Sequence, residues 1–156
     1  ALASGFAAQG WTSKPKEQFE RYFSEQTAGG RACLVAELWG EPVGYVNLLP
    51  EPFDGPFLGK GIPEISDFNV LEAYQGRGIG GKLMDAVEAL AARTSGSVVL
   101  GVGLHPGYGA AQRMYAKRGY VPDGTGLWWN GRQVSPGESV RVDDDLVLVL
   151  RKELKG

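Results

Sequence analysis

The stretch "QGRGIGG", Gln75–Gly81, sets four glycines and an arginine at the entrance of an apolar-periodic run that begins at Ile79. Glycines at a strand-to-helix corner let main-chain N–H groups approach an anion without a Cβ in the way, and a helix N-terminus adds partial positive charge. Arg77 supplies a full charge. The chemistry this permits is the seating of a phosphate or a diphosphate. The stretch lacks the Lys-Ser/Thr pair of a P-loop, so transfer of a γ-phosphate has no support. Gly76, Gly78 and Gly81 match the glycine spacing of G-x-G-x-x-G, but no acidic residue stands in an obvious second βαβ strand, which argues against a dinucleotide fold. A purely structural turn would cost about 1 kcal/mol for each glycine that enters helix.

Other chemistries are excluded or secondary. One histidine, His105, and one cysteine, Cys33, do not make a metal site. No nucleophile elbow accompanies a Ser-His-Asp set. His105 precedes Pro106 and Gly107, where a solvated loop residue is the plain expectation and a base or substrate contact the functional one. Asp143–Asp145 reads as a solvated loop end that could attract a cationic amine. Sixteen basic and eighteen acidic side chains, net charge −2, give no basic stripe for a nucleic acid. Cys33, in "ACLVAEL", reads as a small buried hydrophobe without a disulfide partner, which fits a reducing cytoplasm. No apolar run approaches the roughly 20 residues of a membrane span.

The elements that must position the glycine corner follow from periodicity. With 156 residues the chain suits one domain with its own core. Phe19, Tyr22 and Phe23 recur at helical spacing behind Ser13 and Pro15. "RACLVAEL" and "PVGYVNLL" are β-type runs joined by "WGE", an antiparallel hairpin in which Trp39 is an exposed turn residue or an oligomer contact. "EPFDGPFLGKG" is a long loop of the kind that serves a site. "IPEISDFNV", from Ile62 to Val70, alternates as a strand should. Ile79, Leu83, Val87 and Leu90 make one stripe of a helix. "VVLGVGL" reads as a buried strand. "GAAQRMYAKRGY" is a short helix with Ala111, Met114 and Tyr115 inward and Gly119 as its stop. "GLWW" and "DLVLVLRKEL" close the chain as two strands, with Trp128 and Trp129 on opposite faces, one of them free to line an acceptor pocket. The order α, β-β, loop, β, α, β, α, β-β implies an α/β (α+β) domain with a mixed sheet flanked by helices.

Gln75, Gly76, Gly78 and Gly80 match Q/R-x-x-G-x-G/A, and "AAQRMYAKRGY" places Ala111, Tyr115, Gly119 and Tyr120 in register with A-x-x-x-Y-x-x-x-G-F/Y. On these two motifs, in order and separated by a helix and a strand, the sequence resembles the GNAT superfamily of acetyl-CoA-dependent N-acetyltransferases. The resemblance covers about Ala32–Leu154. It implies a mixed, mostly antiparallel twisted sheet in which two parallel strands, here Ile62–Val70 and Ser97–Leu104, splay apart to hold the cofactor. The family's first strand has no counterpart after Ala1, so a single domain over 1–156 lacking that strand is expected. The asparagine often found seven residues before the tyrosine is Tyr108 here.

What the resemblance implies for the site is specific. Gln75, Gly76, Arg77, Gly78, Ile79 and Gly80 hold the pyrophosphate of acetyl-CoA. Phe68, Asn69 and Val70, beside an expected bulge, meet the pantetheine, joined by Tyr108. Glu64 takes the amine proton, with Asp67 on the opposite face by alternation as a weaker competitor and His105 as a third. Tyr115 is the acid for the departing thiolate; a phenol of pKa about 10 facing a thiol of about 8.5 is uphill by roughly 2 kcal/mol, a gap a buried site is expected to close. The expected activity is acetyl transfer, by a cytoplasmic enzyme needing no metal, to a primary amine of a small molecule. A homodimer is reasonable for the family. A protein or peptide N-acetyltransferase is the alternative acceptor class, and a non-catalytic acyl-CoA sensor the rival outside enzymes.

Overall fold

The computed structural model describes residues 29–154, so the helix expected behind Ser13 lies outside the described residues. Seven strands of mixed direction and two helices form among the described residues, in agreement with the expected fold class. They divide into two compact units, one taking in 29–50 and Ile65–Arg93, the other Glu51–Glu64 and 94–154.

In the first unit, β1 (Ala32–Leu38) and β2 (Glu41–Leu49) are antiparallel from Ala32 opposite Leu48 to Leu38 opposite Glu41. Trp39 and Gly40 make the two-residue turn with φ of 51° and 80°, the twist that right-handed strands accept. Trp39 is 87% exposed, so the turn-residue expectation holds. From Val43 to Leu49, β2 is buried throughout. Beside it lies β3 (Glu64–Val70), which starts two residues later than predicted and enters this unit at Ile65.

Simple alternation along β3 fails at Asp67, whose φ is 48°. A non-glycine residue there carries strain of about 1 kcal/mol or more. Local hydrogen bonds offset it: the Tyr45 hydroxyl donates to Asp67 Oδ2 at 2.9 Å, and Asn69 Nδ2 donates to Asp67 Oδ1 at 3.0 Å and to the Tyr45 hydroxyl oxygen at 3.1 Å.

Helix α1 (Ile79–Ala91) follows, with Leu83, Met84, Val87, Glu88 and Ala91 buried. The predicted stripe is turned slightly, since Ile79 and Leu90 are only half-buried. Gly44 of β2 explains how close α1 can come. A Cβ there would lie 2.9 Å from the carbonyl oxygen of Asn69, 3.2 Å from Val70 Cγ2 and 3.3 Å from Leu83 Cδ1. Gly44→Ala is therefore expected to lose about 1–3 kcal/mol of stability, read as an earlier midpoint in urea with an unchanged slope.

The second unit opens with the proline- and glycine-rich loop from Glu51. Glu64 stands parallel to Val99 of β4 (Ser97–Gly103), and the Val99 N–H donates to the Pro63 carbonyl at 3.1 Å. β4 is buried except at Gly101, as its apolar run requires. Helix α2 (Gly109–Lys117) ends where Gly119 takes φ 91°. Tyr115 is buried, while Ala111 and Met114 are half-buried. β5 (Val121–Trp129), β6 (Arg132–Gln133) and β7 (Leu146–Glu153) complete the unit in the order β4-β7-β5-β6, all antiparallel. β5 begins five residues before the predicted "GLWW". β6 was not predicted; a two-residue strand after Asn130-Gly131, with φ of 50° and 76°, is too short to show a period. No helix among the described residues is long and apolar enough to cross a membrane.

Candidate functional site

In the first unit the glycine corner is an open strand-to-helix turn. The Leu71 N–H donates to the Val43 carbonyl at 2.8 Å, which fixes the exit of β3. One turn of 3-10 helix, Glu72–Tyr74, leads to Gln75. The Gln75 N–H bonds the Glu72 carbonyl, and its side-chain Nε2 donates to the Val70 carbonyl at 2.9 Å. Gln75 thus clasps the loop to itself. Gly76 and Gly78 have φ of 76° and 80°, a backbone that side chains resist.

Gly78 is the N-cap of α1, and no side chain caps the helix. The first-turn amides of Ile79 and Gly80 therefore have no side-chain acceptor. Nothing stands within 4 Å of where Cβ atoms would sit on Gly76, Gly78 and Gly81. The Arg77 guanidinium lies 5.3 Å from the centre of the Tyr74 ring, which holds the charge at the corner. These residues fit a diphosphate.

Of the strand residues expected at the pantetheine, the Asn69 side chain is committed to Tyr45 and Asp67, and the Val70 carbonyl to Gln75. Phe68 is half-buried. Asp67 is held by the same Tyr45 and Asn69 bonds, which weakens it further as a base.

In the second unit Glu64 lines a pocket with Asp54, Pro56 and Phe57 of the long loop, Trp128 of β5 and Gly131 of the β5–β6 turn. No hydrogen bond or ion pair engages Glu64 among the described residues. Burial, with the Asp54 charge as a smaller contribution, pushes its carboxyl from the ordinary 4.5 up to about 7. A carboxylate poised there accepts a proton near neutrality and gives it back easily. Trp128 is oriented by its indole N–H, which donates to Thr125 Oγ1 at 2.8 Å, and Thr125 is in turn tied to Asp123. The other tryptophan, Trp129, donates to Asp143 at 3.2 Å.

A second cluster in this unit surrounds the end of β4. The Tyr108 ring occupies the space a Cβ on Gly103 would need, and stands edge-on to His105 with ring centres 4.8 Å apart. His105 Nδ1 accepts from the Gly107 N–H at 3.0 Å, so the proton sits on Nε2, which donates to Asp144 Oδ1 at 2.6 Å. Both ring nitrogens are engaged, and His105 ties the acidic loop to the turn before α2. That leaves it poorly placed to act as a base. Buried Tyr115 lies 5.6 Å from the Tyr120 ring centre, and its hydroxyl has no protein partner among the described residues. Burial first, then the nearby Tyr108, pushes its phenol up to about 12. The expected closing of the gap to a thiol is corrected by this: burial widens the phenol's side of it.

Sequence reasoning passed over Asp54. Its signal was only a lone acid inside a Pro/Gly loop, and its neighbour Gly131 is far away in the chain. The structure sets Glu64 with Asp54 and Trp128, and Tyr115 with Tyr108 and Tyr120.

A family model described as "Acetyltransferase (GNAT) family" matches residues 2–120. No curated protein matches the chain. Among solved structures, a ribosomal-protein-alanine N-acetyltransferase from Brucella melitensis is 25% identical with a TM-score of 0.62, over 88% of this chain and 78% of that one. A GNAT family acetyltransferase from Elizabethkingia anophelis, with acetyl-CoA bound, is 23% identical with a TM-score of 0.62, over 89% and 83%. An aminoglycoside 6′-N-acetyltransferase complexed with coenzyme A is 17% identical with a TM-score of 0.66, over 99% and 89%. The last two likenesses, at those identities, speak for the fold.

Proposed function

On the premise that this chain belongs to the acetyltransferase (GNAT) family and is an acetyl-CoA-dependent acyltransferase, we propose that its acceptor is a primary amine of a small molecule, acetylated directly in a ternary complex. The observation that carries this reading is Glu64: an unpaired, largely buried carboxyl at about 7, set in a pocket that could admit an amine. When bound, acetyl-CoA supplies the acetyl group as a reactive thioester. The amides of Gly78, Ile79 and Gly80 and the Arg77 charge hold its diphosphate. The main chain of Phe68 and Asn69 meets the pantetheine, with Tyr108 as a further contact. Glu64 takes the proton that frees the amine's lone pair. The Tyr115 hydroxyl, protonated throughout the working range, donates a hydrogen bond to the departing sulfur. Cys33, which is in no disulfide among the described residues, suits a reducing cytoplasm.

The test is release of free CoA thiol on mixing the protein with acetyl-CoA and a panel of small amines. A peptide with an N-terminal alanine belongs in the panel because of the Brucella likeness. Thiol release with small amines but not the peptide supports the reading. Preference for the peptide overturns the acceptor class, and binding of acetyl-CoA without release under any condition points to a sensor.

Arg77 gives a smaller prediction. It is exposed, so its attraction for a diphosphate is worth about 0.2–1 kcal/mol, and Arg77→Gln should weaken acetyl-CoA binding roughly threefold. Equilibrium dialysis at rising salt checks it, because the wild-type advantage should shrink as salt screens the charge.

A further inference from the structure

The pocket around Glu64 has a composition that says what it takes. Two carboxylates, Asp54 and Glu64, share it, and that is the wrong sign for any part of a polyphosphate carrier. Its walls include two aromatic rings. Phe57 is held by the Arg151 guanidinium, 5.9 Å from its ring centre, and Trp128 has its polar edge satisfied by Thr125, which leaves ring surface for a guest. Asp54 itself is exposed and has no hydrogen bond or ion pair among the described residues. Its place is set by Gly131 in the Asn130-Gly131 turn. A Cβ on that glycine would fall 2.5 Å from Asp54 Oδ2 and 2.8 Å from its Cγ, so the carboxylate rests where only a glycine leaves room.

We propose that this pocket receives a primary ammonium carried on a flat apolar body, with Asp54 as the carboxylate that binds the ammonium and Gly131 as the seat that keeps Asp54 there. The inference rests on the acetyl-transfer reading, since it names the acceptor class for that site. Asp54 holds the cation on arrival; Glu64 is the group that takes its proton. The aromatic walls favour a planar body through stacking and cation–π attraction. A neutral alcohol of the same size gains the stacking and loses the charge.

Calorimetric titration without acetyl-CoA separates the two ideas. The probes are benzylamine and its uncharged isostere benzyl alcohol, near neutral pH where the amine is cationic. Wild type should bind benzylamine roughly threefold tighter than benzyl alcohol, the scale of one exposed charge contact. Asp54→Asn should lose that preference, keep benzyl alcohol affinity and melt at the wild-type temperature, while Asp54→Glu restores part of it. Gly131→Ala, which displaces the carboxylate, should act like Asp54→Asn. Equal affinity of wild type for the two probes, no affinity for either, or an unchanged preference in Asp54→Asn overturns the proposal. Discrimination between the probes with no thiol release from acetyl-CoA and benzylamine upholds the pocket and sinks acetyl transfer. Thiol release with the same benzylamine KM in wild type and Asp54→Asn does the reverse.

Discussion

Glu64→Gln is expected to lower kcat/KM for a small amine by about 10²-fold at neutral pH and to abolish the rise in rate that wild type shows as pH climbs through about 7. Glutamine keeps the size and much of the polarity of the side chain but has no basic oxygen. Acetyl-CoA binding should be unchanged, since the diphosphate seat proposed above is at residues 76–80. The amine's own deprotonation contributes a slope to both proteins, so the Glu64 limb is the difference between their profiles. Parallel profiles would remove Glu64 as the base.

The same substitution has a second readout that owes nothing to catalysis. The folded pKa of Glu64 is raised from 4.5 to about 7, so folding takes up a proton between those values. The stabilisation tied to the protonated form is complete below about 4.5 and is lost as pH rises through about 7. The loss is on the order of 3 kcal/mol, and less to the extent that water reaches the carboxyl. Glutamine carries no such penalty. Its melting temperature should therefore gain on wild type as pH is raised from about 5 to about 8, with no gain at the acid end. A gap that stays constant with pH means Glu64 is not buried as an acid.

These expectations show which parts of the molecule were legible in its sequence. The corner at Gly76–Gly80 was readable because its signal is local: glycines adjacent in the chain are adjacent in the turn, and α1 begins at Ile79 as the spacing predicts. β4 was readable for the same reason, as a continuous apolar run. The turn at Trp39-Gly40 needed only two residues. The left-handed backbone at Asp67 was not legible, because period-2 alternation describes only a regular strand. Asp54 and Gly131 are 77 residues apart by number, and His105 and Asp144 are 39 apart; nothing in a one-dimensional pattern says that either pair meets. Gln75 matched a motif position, yet what its side chain does, bonding the Val70 carbonyl, is a property of the folded loop.

Tyr115→Phe is the second large effect, and its argument turns on what a phenol at about 12 can do. Full transfer of its proton to a free thiolate of pKa about 8.5 would be uphill by roughly 5 kcal/mol, so the hydroxyl is a poor acid if it acts after the sulfur has left. Donating a hydrogen bond while negative charge builds on the sulfur needs no such transfer, and a bond to a charged acceptor is worth about 1.5–3 kcal/mol. That corresponds to a fall in kcat of roughly 10- to 150-fold, with KM for acetyl-CoA nearly unchanged because the bond strengthens only as charge develops. Phenylalanine fills the same space beside Tyr120, and the lost hydroxyl has no protein partner, so the variant should melt like wild type. A carrier whose thiol has a lower pKa leaves more readily and should lose less from the substitution than acetyl-CoA does. Equal losses for both leaving groups would mean that Tyr115 packs the site without touching the sulfur.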